Sequence, residues 1–204
     1  MSLNTLQKTQ ELVAQAQDGD TSALDQLCGV YTERVRRIVR FRMGPELRSH
    51  LESMDLVQEA LVEAVLDLDQ FRYSREGDFL RWLSRIVENT IRDNVDKAYA
   101  AKRDIRRQVP LENVAVRADR PAHDADMPIA TTTPSVVFSL REDLDRLEKA
   151  MDQLKPEYRE VIVMAKIEGF SCKEIGEKLN KTPAAVAMLL SRAIVAVTNL
   201  LETT

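Results

Sequence analysis

Seven residues near the end of the chain have the types and spacing of a nucleic-acid contact surface. They are Lys181, Thr182, Ala184, Ala185, Met188, Ser191 and Arg192. The hydroxyl and cationic groups of this set suit phosphates or base edges, and its small apolar side chains suit the methyl group of thymine. Because few of the seven donate or accept hydrogen bonds, this surface alone is expected to read DNA weakly.

The residues around this surface predict the two helices that would carry it. Ser171 and Glu174 have the spacing of a capping box, which predicts the start of a helix. Gly176 is expected to let another helix approach closely. Asn180 tolerates the left-handed conformation that ends a helix, and Pro183 suits the first turn of the next one. The pattern predicts a helix-turn-helix, and the alternative is an ordinary helical hairpin.

A second candidate surface combines an aromatic and basic loop with the basic face of a helix. The loop supplies Arg72, Tyr73 and Arg75, and the helix that follows supplies Arg81, Arg85, Asn89, Arg92 and Lys97. Aromatic rings beside a row of cations are what unstacked bases and a phosphate backbone require. The alternative is a salt-bridged outer face in which Glu88 and Asp96 neutralise the arginines.

A third set of polar residues lies on a helix predicted over residues 55–68. It consists of Asp55, Gln58, Glu59 and Glu63, which are expected to share the outward side of that helix. Carboxylates with His50 upstream suggest a metal site, but no Glu-x-x-His pattern and no second ligand set accompany them. The acids are interpreted as solvated, or as a docking surface for basic residues of a partner.

The overall charge is close to balanced, which limits what this chain does alone. Its 204 residues carry 29 basic and 33 acidic side chains, for a formal net charge of -4. Since phosphate neutralisation supplies much of the affinity of DNA-binding proteins, any DNA contact must come from local patches or be assisted by a partner.

Several classes of protein find no support in the sequence. Cys28 and Cys172 are too isolated for a disulfide framework or a zinc site. Neither His50 nor His123 has a motif neighbour and there is no glycine-rich phosphate loop, so no catalytic residue, metal or cofactor is predicted. No early apolar run resembles a signal peptide, and no later stretch approaches the roughly 18 apolar residues of a membrane span. We therefore expect a cytoplasmic protein without membrane insertion.

Apolar periodicity predicts an all-α fold made of two small helical domains. The first is expected over residues 1–107 and the second, which contains the helix-turn-helix, over residues 140–204. Prolines concentrate between them, in a linker predicted over residues 108–139. A long helix of the first domain carries outward arginines at positions 34, 36, 37, 40 and 42. These arginines are expected to be solvated, or to contact nucleic acid or an acidic protein surface.

The order of these features resembles the small, two-domain extracytoplasmic-function (ECF) class of bacterial RNA polymerase sigma factors. Residues 55–59, Asp-Leu-Val-Gln-Glu, are similar to the polymerase-docking motif of that family. Residues 77–93 resemble the segment that reads and melts the minus-ten promoter element. Residues 154–175 resemble part of the domain that reads the minus-thirty-five element.

The resemblance implies a sigma factor that directs promoter-specific transcription initiation and is not an enzyme. Asp55, Gln58 and Glu59 would dock on the clamp helices of the large polymerase subunit. The aromatic loop would hold a flipped base together with Asn89, while the arginines of the helix after it contact the DNA backbone. Core RNA polymerase, promoter DNA and an anti-sigma factor are the implied partners.

Two other functions stay open on the sequence alone. One is a stand-alone helix-turn-helix repressor or activator, which would bind specific DNA without polymerase. The other is a degenerate sigma-like regulator, which would bind polymerase without reading a promoter.

Overall fold

Helices make up most of the chain, in agreement with the predicted all-α fold. The computed structural model describes residues 3–48, 50–75, 77–108 and 134–203, and these ranges contain no β-strand. The N-terminal half consists of α1 (Leu3–Gln17), α2 (Thr21–Arg42), α3 (Pro45–Arg48), α4 (Ser53–Leu66), a short 3₁₀ turn (Leu68–Gln70) and α5 (Asp78–Gln108). The helix α2 begins at Thr21 because the Asp20 carboxylate accepts hydrogen bonds from the N–H groups of Ser22 and Ala23.

Four helices of the N-terminal half, α1, α2, α4 and α5, share one hydrophobic core. Apolar residues at helical spacing in α2, α4 and α5 are buried in it, in agreement with the apolar periodicity that predicted helices. Aromatic rings close the end of the core nearest to residues 71–75. The ring of Phe79 lies 5.3 Å from that of Phe71 and 4.8 Å from that of Tyr31. This cluster fixes the point at which the aromatic and basic loop leaves the core.

Gln17, the last residue of α1, holds the same loop from the other side. Its side-chain nitrogen donates hydrogen bonds to the carbonyl oxygens of Leu68 and Phe71, at 2.8 and 2.9 Å. Buried or half-buried carbonyl groups outside regular helix need such donors. The loop after Phe71 therefore starts from a defined position.

The C-terminal half has a core of its own. It consists of α6 (Pro134–Asp152), α7 (Pro156–Ile162), a π-helical turn (Val163–Ile167), α8 (Cys172–Leu179) and α9 (Pro183–Thr203). Met151, Val161, Ile175 and Val186 are among the side chains buried between these helices. Phe41, near the end of α2, is buried in the same core and is 4% exposed. The two halves of the chain are therefore packed against each other.

The structure places the end of the predicted linker earlier than the sequence did. The helix α6 begins at Pro134, within the range 108–139 that was predicted as linker. The part of that prediction that falls on residues 109–133 lies outside the described residues.

The local signals between α7 and α9 correctly predicted the helix boundaries there. Ser171 and Glu174 form the capping box of α8, and Asn180 ends α8 in the left-handed conformation with φ 53°. The hydroxyl oxygen of Thr182 accepts a hydrogen bond from the N–H of Ala185 at the start of α9. The close approach at Gly176 differs from the prediction, because the nearest group is the carbonyl oxygen of Lys181 in the turn and not another helix.

The expectation that no stretch of the sequence approaches the apolar length of a membrane span was wrong for α9. The stretch Pro183–Glu202 has a mean hydropathy of 1.9 and is long and apolar enough to cross a membrane, by length and composition only. The core helix of a soluble protein can pass the same test. Here α9 packs against α6, α7 and α8 and buries Val186, Ala193 and Val197. Part of its apolar character is thus explained by packing inside the C-terminal half.

Candidate functional site

The acidic set on α4 divides into two pairs. Asp55 and Gln58 are exposed, as expected of a docking surface. Glu59 and Glu63 turn instead toward α5. Glu63 accepts a hydrogen bond from the hydroxyl of Thr90 at 3.0 Å. The sequence pattern placed all four residues on one outward side, but a helix face is about 100° wide and the latter two lie on the flank that packs against α5.

Glu59 links this acidic set to the basic helix α5. Its carboxylate accepts hydrogen bonds from the Asn94 amide at 2.6 Å and from the Lys97 ammonium at 3.2 Å. The bond from Asn94 and the positive charge of Lys97 lower the pKa of Glu59 below its usual value. Lys97, predicted to contact DNA, therefore has an intramolecular partner, and the docking and DNA-binding candidates lie on two packed helices.

The loop between Phe71 and Asp78 is held by its own hydrogen bonds. The guanidinium of Arg72 donates to the carbonyl oxygens of Asp69 and Phe71, at 2.6 and 2.9 Å. The Asp78 carboxylate accepts from the N–H groups of Ser74 and Arg75, at 3.1 and 2.7 Å. These bonds hold residues 72–75 in a defined conformation in the free protein, which lowers the entropy cost of binding.

The basic face of α5, like the acidic set on α4, contains both exposed residues and residues that contact other parts of the chain. Arg85, Asn89 and Arg92 are exposed, and Arg92 donates a hydrogen bond to the Asn89 side-chain oxygen. Arg81 is only 9% exposed. It donates to the Asp78 carboxylate at 2.6 Å and to the carbonyl oxygen of Gly169, in the C-terminal half, at 3.2 Å. The predicted stripe is thus open along most of its length and covered at its start.

All seven residues predicted on the helix-turn-helix surface are exposed. They are Lys181, Thr182, Ala184, Ala185, Met188, Ser191 and Arg192. Large apolar side chains contribute to this face, since Met188, one of the seven, and the neighbouring Val195 are 58% and 57% exposed. Arg192 is the one charged residue between positions 183 and 201 of the sequence. Cationic contact from this face therefore depends on Arg192 and on Lys181 in the preceding turn.

The last arginines of α2 bind acidic residues of the C-terminal half. Arg40 donates to the carboxylates of Asp145 and Glu148, at 2.7 and 2.5 Å. Arg48 of α3 pairs with Glu148 and Asp152. The outward arginines of α2 were expected to be solvated or to meet nucleic acid or an acidic protein surface. For Arg40 the acidic surface belongs to its own chain.

Arg42 lies at the centre of this contact. It makes two parallel hydrogen bonds to the Glu168 carboxylate, at 2.7 and 2.8 Å, and ion pairs with Glu160 and Glu88 at 2.8 and 2.7 Å. The side chain of Glu168 is fully buried. Burial raises the pKa of Glu168, and the Arg42 guanidinium opposes this shift. A bidentate pair of this kind fixes both partners in orientation as well as in distance.

Comparison with known proteins identifies the family to which this arrangement belongs. The sequence model described as ECF sigma factor matches residues 6–196. The chain is an ECF sigma factor. ECF sigma factors are regulatory proteins that bind core RNA polymerase and promoter DNA and direct transcription initiation, and this confirms the function and partners expected from the sequence.

Curated relatives and solved structures agree with this assignment. The chain is 27% identical to SigD of Mycobacterium tuberculosis (strain ATCC 25618 / H37Rv) over 183 residues, which cover 90% of this chain and 79% of the relative. It is 28% identical to CarQ of Myxococcus xanthus, over 86% of this chain and 87% of the relative. CnrH, solved in complex with the cytosolic domain of CnrY, is 25% identical with a TM-score of 0.54 and coverage of 96% and 98%.

A second solved structure supports the fold. RpoE of Bartonella quintana, solved with the anti-sigma factor NepR, has a TM-score of 0.51 and 21% identity, with coverage of 87% of this chain and 96% of that one. The arrangement of helices in this ECF sigma factor thus recurs in an experimental structure at low identity.

Proposed function

We propose that Asp55 and Gln58 form the part of this ECF sigma factor that docks on core RNA polymerase. Both side chains are exposed in the first turns of α4, where an acidic group also interacts favourably with the helix dipole. A basic surface on the polymerase would pair with Asp55 and donate a hydrogen bond to the side-chain oxygen of Gln58. Glu59 and Glu63 have the different role of holding α5 against α4.

The contact of Glu59 with α5 is the observation that carries this proposal. Because Glu59 binds Asn94 and Lys97, the docking helix and the basic helix move as one body. Polymerase bound to α4 would therefore fix the direction of α5. Arg85, Asn89 and Arg92 would then face promoter DNA together, with the guanidinium groups on phosphates and the amide on a base.

The loop before α5 suits a base that has left the DNA stack. Tyr73 is half-buried against Phe71, with ring centres 6.1 Å apart, so one side of its ring is supported by protein. Stacking on an aromatic ring favours an unpaired base of any sequence, and hydrogen bonds to its edge add selectivity. We assign Arg72, Tyr73 and Arg75 to the reading of the minus-ten element on this basis.

The helix-turn-helix surface is assigned to duplex DNA at the minus-thirty-five element. Thr182, Ser191 and Arg192 provide the hydrogen bonds, while Ala184, Ala185 and Met188 provide apolar contacts, with Lys181 near the phosphates. With so few charged groups, this surface adds discrimination to a complex that polymerase already holds on DNA. We infer from this function that the protein acts in the cytoplasm with the polymerase.

A protein inhibitor is proposed as a further partner. CnrH, which is similar over nearly the whole chain, was solved with the cytosolic domain of CnrY. RpoE of Bartonella quintana was solved with the anti-sigma factor NepR. We expect this chain to be held by an anti-sigma factor in the same general manner.

The docking assignment predicts the behaviour of an Asp55→Ala, Gln58→Ala double variant. Its affinity for core polymerase should fall at least about tenfold, because small sets of central interface residues carry most of the binding energy. The measurement is binding of labelled protein to core polymerase, followed by transcription from a library of promoter fragments. Asp18→Ala, which removes an exposed carboxylate in the turn between α1 and α2, is the control and should bind normally.

Four outcomes of that experiment test the function and the docking assignment. Promoter-specific initiation that requires polymerase and is weakened in the double variant supports the proposal. Specific DNA binding by the protein alone would identify a stand-alone repressor or activator. Polymerase binding without initiation on any fragment would identify a degenerate regulator, and normal binding by the double variant would refute the docking assignment.

A second prediction concerns Arg192. The Arg192→Ala variant should bind a promoter in the polymerase complex about fivefold or more weakly, since loss of a base or phosphate contact commonly has this effect. The exposed side chain makes no contribution to the buried core, so the thermal unfolding of the variant should be unchanged. Lys149→Ala, on the exposed side of α6, is the matched control. Unaltered promoter affinity of the Arg192 variant would rule out the assignment.

A further inference from the structure

We propose that ion pairs between α2, α3 and the C-terminal half hold this sigma factor in a closed state that covers Arg81 and pairs Arg75 with a carboxylate, so that closure and minus-ten recognition exclude each other. This inference rests on the proposed function for the loop and the start of α5. It adds a form of regulation that lies within the chain itself.

The first support is charge complementarity across the contact. Arg40, Arg42 and Arg48 lie along one edge of the N-terminal half, and each faces carboxylates of the C-terminal half. The acidic partners come from three consecutive elements, α6, α7 and the end of the π-helical turn. They are Asp145, Glu148, Asp152, Glu160 and Glu168. Opposite charges arranged in this order select one relative position of the halves.

The ion pairs between the two halves differ in how much each one stabilises the closed state. Asp145 is 56% exposed in its side chain, so its pair with Arg40 is screened by solvent and salt. The bidentate pair of Arg42 with buried Glu168 is protected from solvent and from salt. Phe41, next to Arg42, is buried in the core of the C-terminal half. Arg159 adds hydrogen bonds from the C-terminal half to the carbonyl oxygens of Phe41 and Met43, at 3.0 and 2.9 Å. The closed position is therefore specific.

The second support is the identity of the group that pairs with Arg75 and Arg81. Both lie against the carboxylate of Glu174, the capping-box residue of α8, and the Arg81–Glu174 distance is 3.4 Å. Burial would raise the pKa of Glu174, but hydrogen bonds from Ser171 and the charges of the two arginines lower it overall. The ionised carboxylate occupies the place that a DNA phosphate would take. DNA must displace α8 to reach Arg81, and it must replace the same carboxylate at Arg75, whose side chain is 64% exposed.

The consequence is a free sigma factor that screens part of its own promoter-binding surface. Binding to polymerase and promoter must compensate for the loss of the contacts between the halves. Because several of the pairs are partly exposed, higher salt should favour the open state. Variants that weaken the closed state should form promoter complexes with polymerase at a lower concentration than the parent protein does.

Chemical modification of arginine tests the covering directly. Phenylglyoxal footprinting with mass spectrometry is expected to show Arg81 protected and Arg85, exposed one turn further along α5, modified in the parent protein. The opening variant is Asp145→Lys, Glu148→Lys, which reverses two charges opposite Arg40 and Arg48 without touching DNA-binding candidates. In it, the modification rate of Arg81 should rise severalfold. Glu142→Lys, Asp143→Lys, an equal charge change at exposed positions of α6, should leave the rate unchanged.

Transcription with core polymerase tests the exclusion. The opening variant should reach half-maximal initiation at a severalfold lower concentration than the parent or the Glu142→Lys, Asp143→Lys control. Equal modification of Arg81 and Arg85 in the parent protein would overturn the closed state. A rise in Arg81 modification without a change in the concentration dependence would overturn the exclusion.

A cross-linked variant gives the reverse test and does not depend on the folding of the charge-reversed protein. Cysteines at positions 40 and 145, in a background with Cys28→Ser and Cys172→Ser, can be joined by a bis-maleimide that contains a cleavable disulfide. The joined protein should fail to initiate and should recover after reduction, and normal initiation by the joined protein would overturn the proposal. If no variant initiates under any condition, the proposed function fails, and the Arg81 footprint still decides whether the closed state exists.

Discussion

The Gly176→Ala variant should lose about 2–3 kcal/mol of stability in the C-terminal half, at the upper end of what overpacking costs. A Cβ at this position would lie 2.5 Å from the carbonyl oxygen of Lys181 and 3.6 Å from the backbone nitrogen of Pro183. The group that blocks it is backbone in the turn between α8 and α9, so it cannot move aside as a flexible side chain does. The helices on both sides of the turn would have to separate.

Hydrogen exchange of the amides in α8 and α9 measures this effect locally. Protection of these amides should fall while that of α2 and α5 is retained. Gly29→Ala is the control with the opposite sign. Nothing lies within 4 Å of a Cβ at Gly29 in α2, so alanine should stabilise that helix by about 0.5–1 kcal/mol. Unchanged protection in the Gly176 variant would mean that the turn yields more easily than this geometry allows.

The Phe41→Ala variant should separate the two halves of the chain without unfolding either one first. Its ring is buried in the core of the C-terminal half, although α2 belongs to the N-terminal half. Replacing a buried phenylalanine by alanine costs about 3–5 kcal/mol, and here most of that loss falls on the contact between the halves.

Phe79→Ala provides a matched control for Phe41→Ala. Phe79 is equally large and is 5% exposed, but it lies inside the core of the N-terminal half. For Phe41→Ala, small-angle scattering should show an increased radius of gyration. The helical content of this variant, measured by circular dichroism, should be retained. The Phe79 variant should lose helical signal in the N-terminal half instead. A compact Phe41 variant with lowered global stability would contradict the assignment of this residue to the contact.

The boundaries around α8 were predictable because their causes are local. A capping box spans four residues, and a left-handed Asn180 followed by Pro183 needs no information from elsewhere in the chain. The apolar faces of α2, α4 and α5 were predictable for the same reason, since helical periodicity alone determines which side chains lie together.

The contact between Arg42 and Glu168 could not have been predicted in this way. The two residues are 126 positions apart, and neither has a neighbour pattern that points to the other. The sequence suggested an acidic surface as one possible partner of the arginines of α2, without showing that the same chain supplies it. Arg81 is a similar case, because a helical stripe predicts its direction but not the carbonyl group of Gly169 above it.

The division of the acidic set on α4 into two pairs could be predicted from the sequence only in part. Glu59 and Glu63 were recognised as polar positions of that helix, but a periodic pattern does not distinguish the centre of an exposed face from its flank. Thr90 and Asn94 have the same four-residue spacing on α5, and this correspondence is visible only when the two helices are known to pack.

The π-helical turn Val163–Ile167 makes chain length part of the contact between the halves. Such a turn holds one residue more than the α-helical turn it replaces. The turn absorbs that residue, because about five residues of π-helix turn the chain through nearly the same angle as about four residues of α-helix. Glu168 therefore faces Arg42 with the phase that a regular α-helix one residue shorter would give it. A deletion of one residue in the α-helical part of α7 has no such compensation and would turn Glu168 by about 100° away from Arg42. The contact between the halves would then be lost while every side chain of the interface stays unchanged.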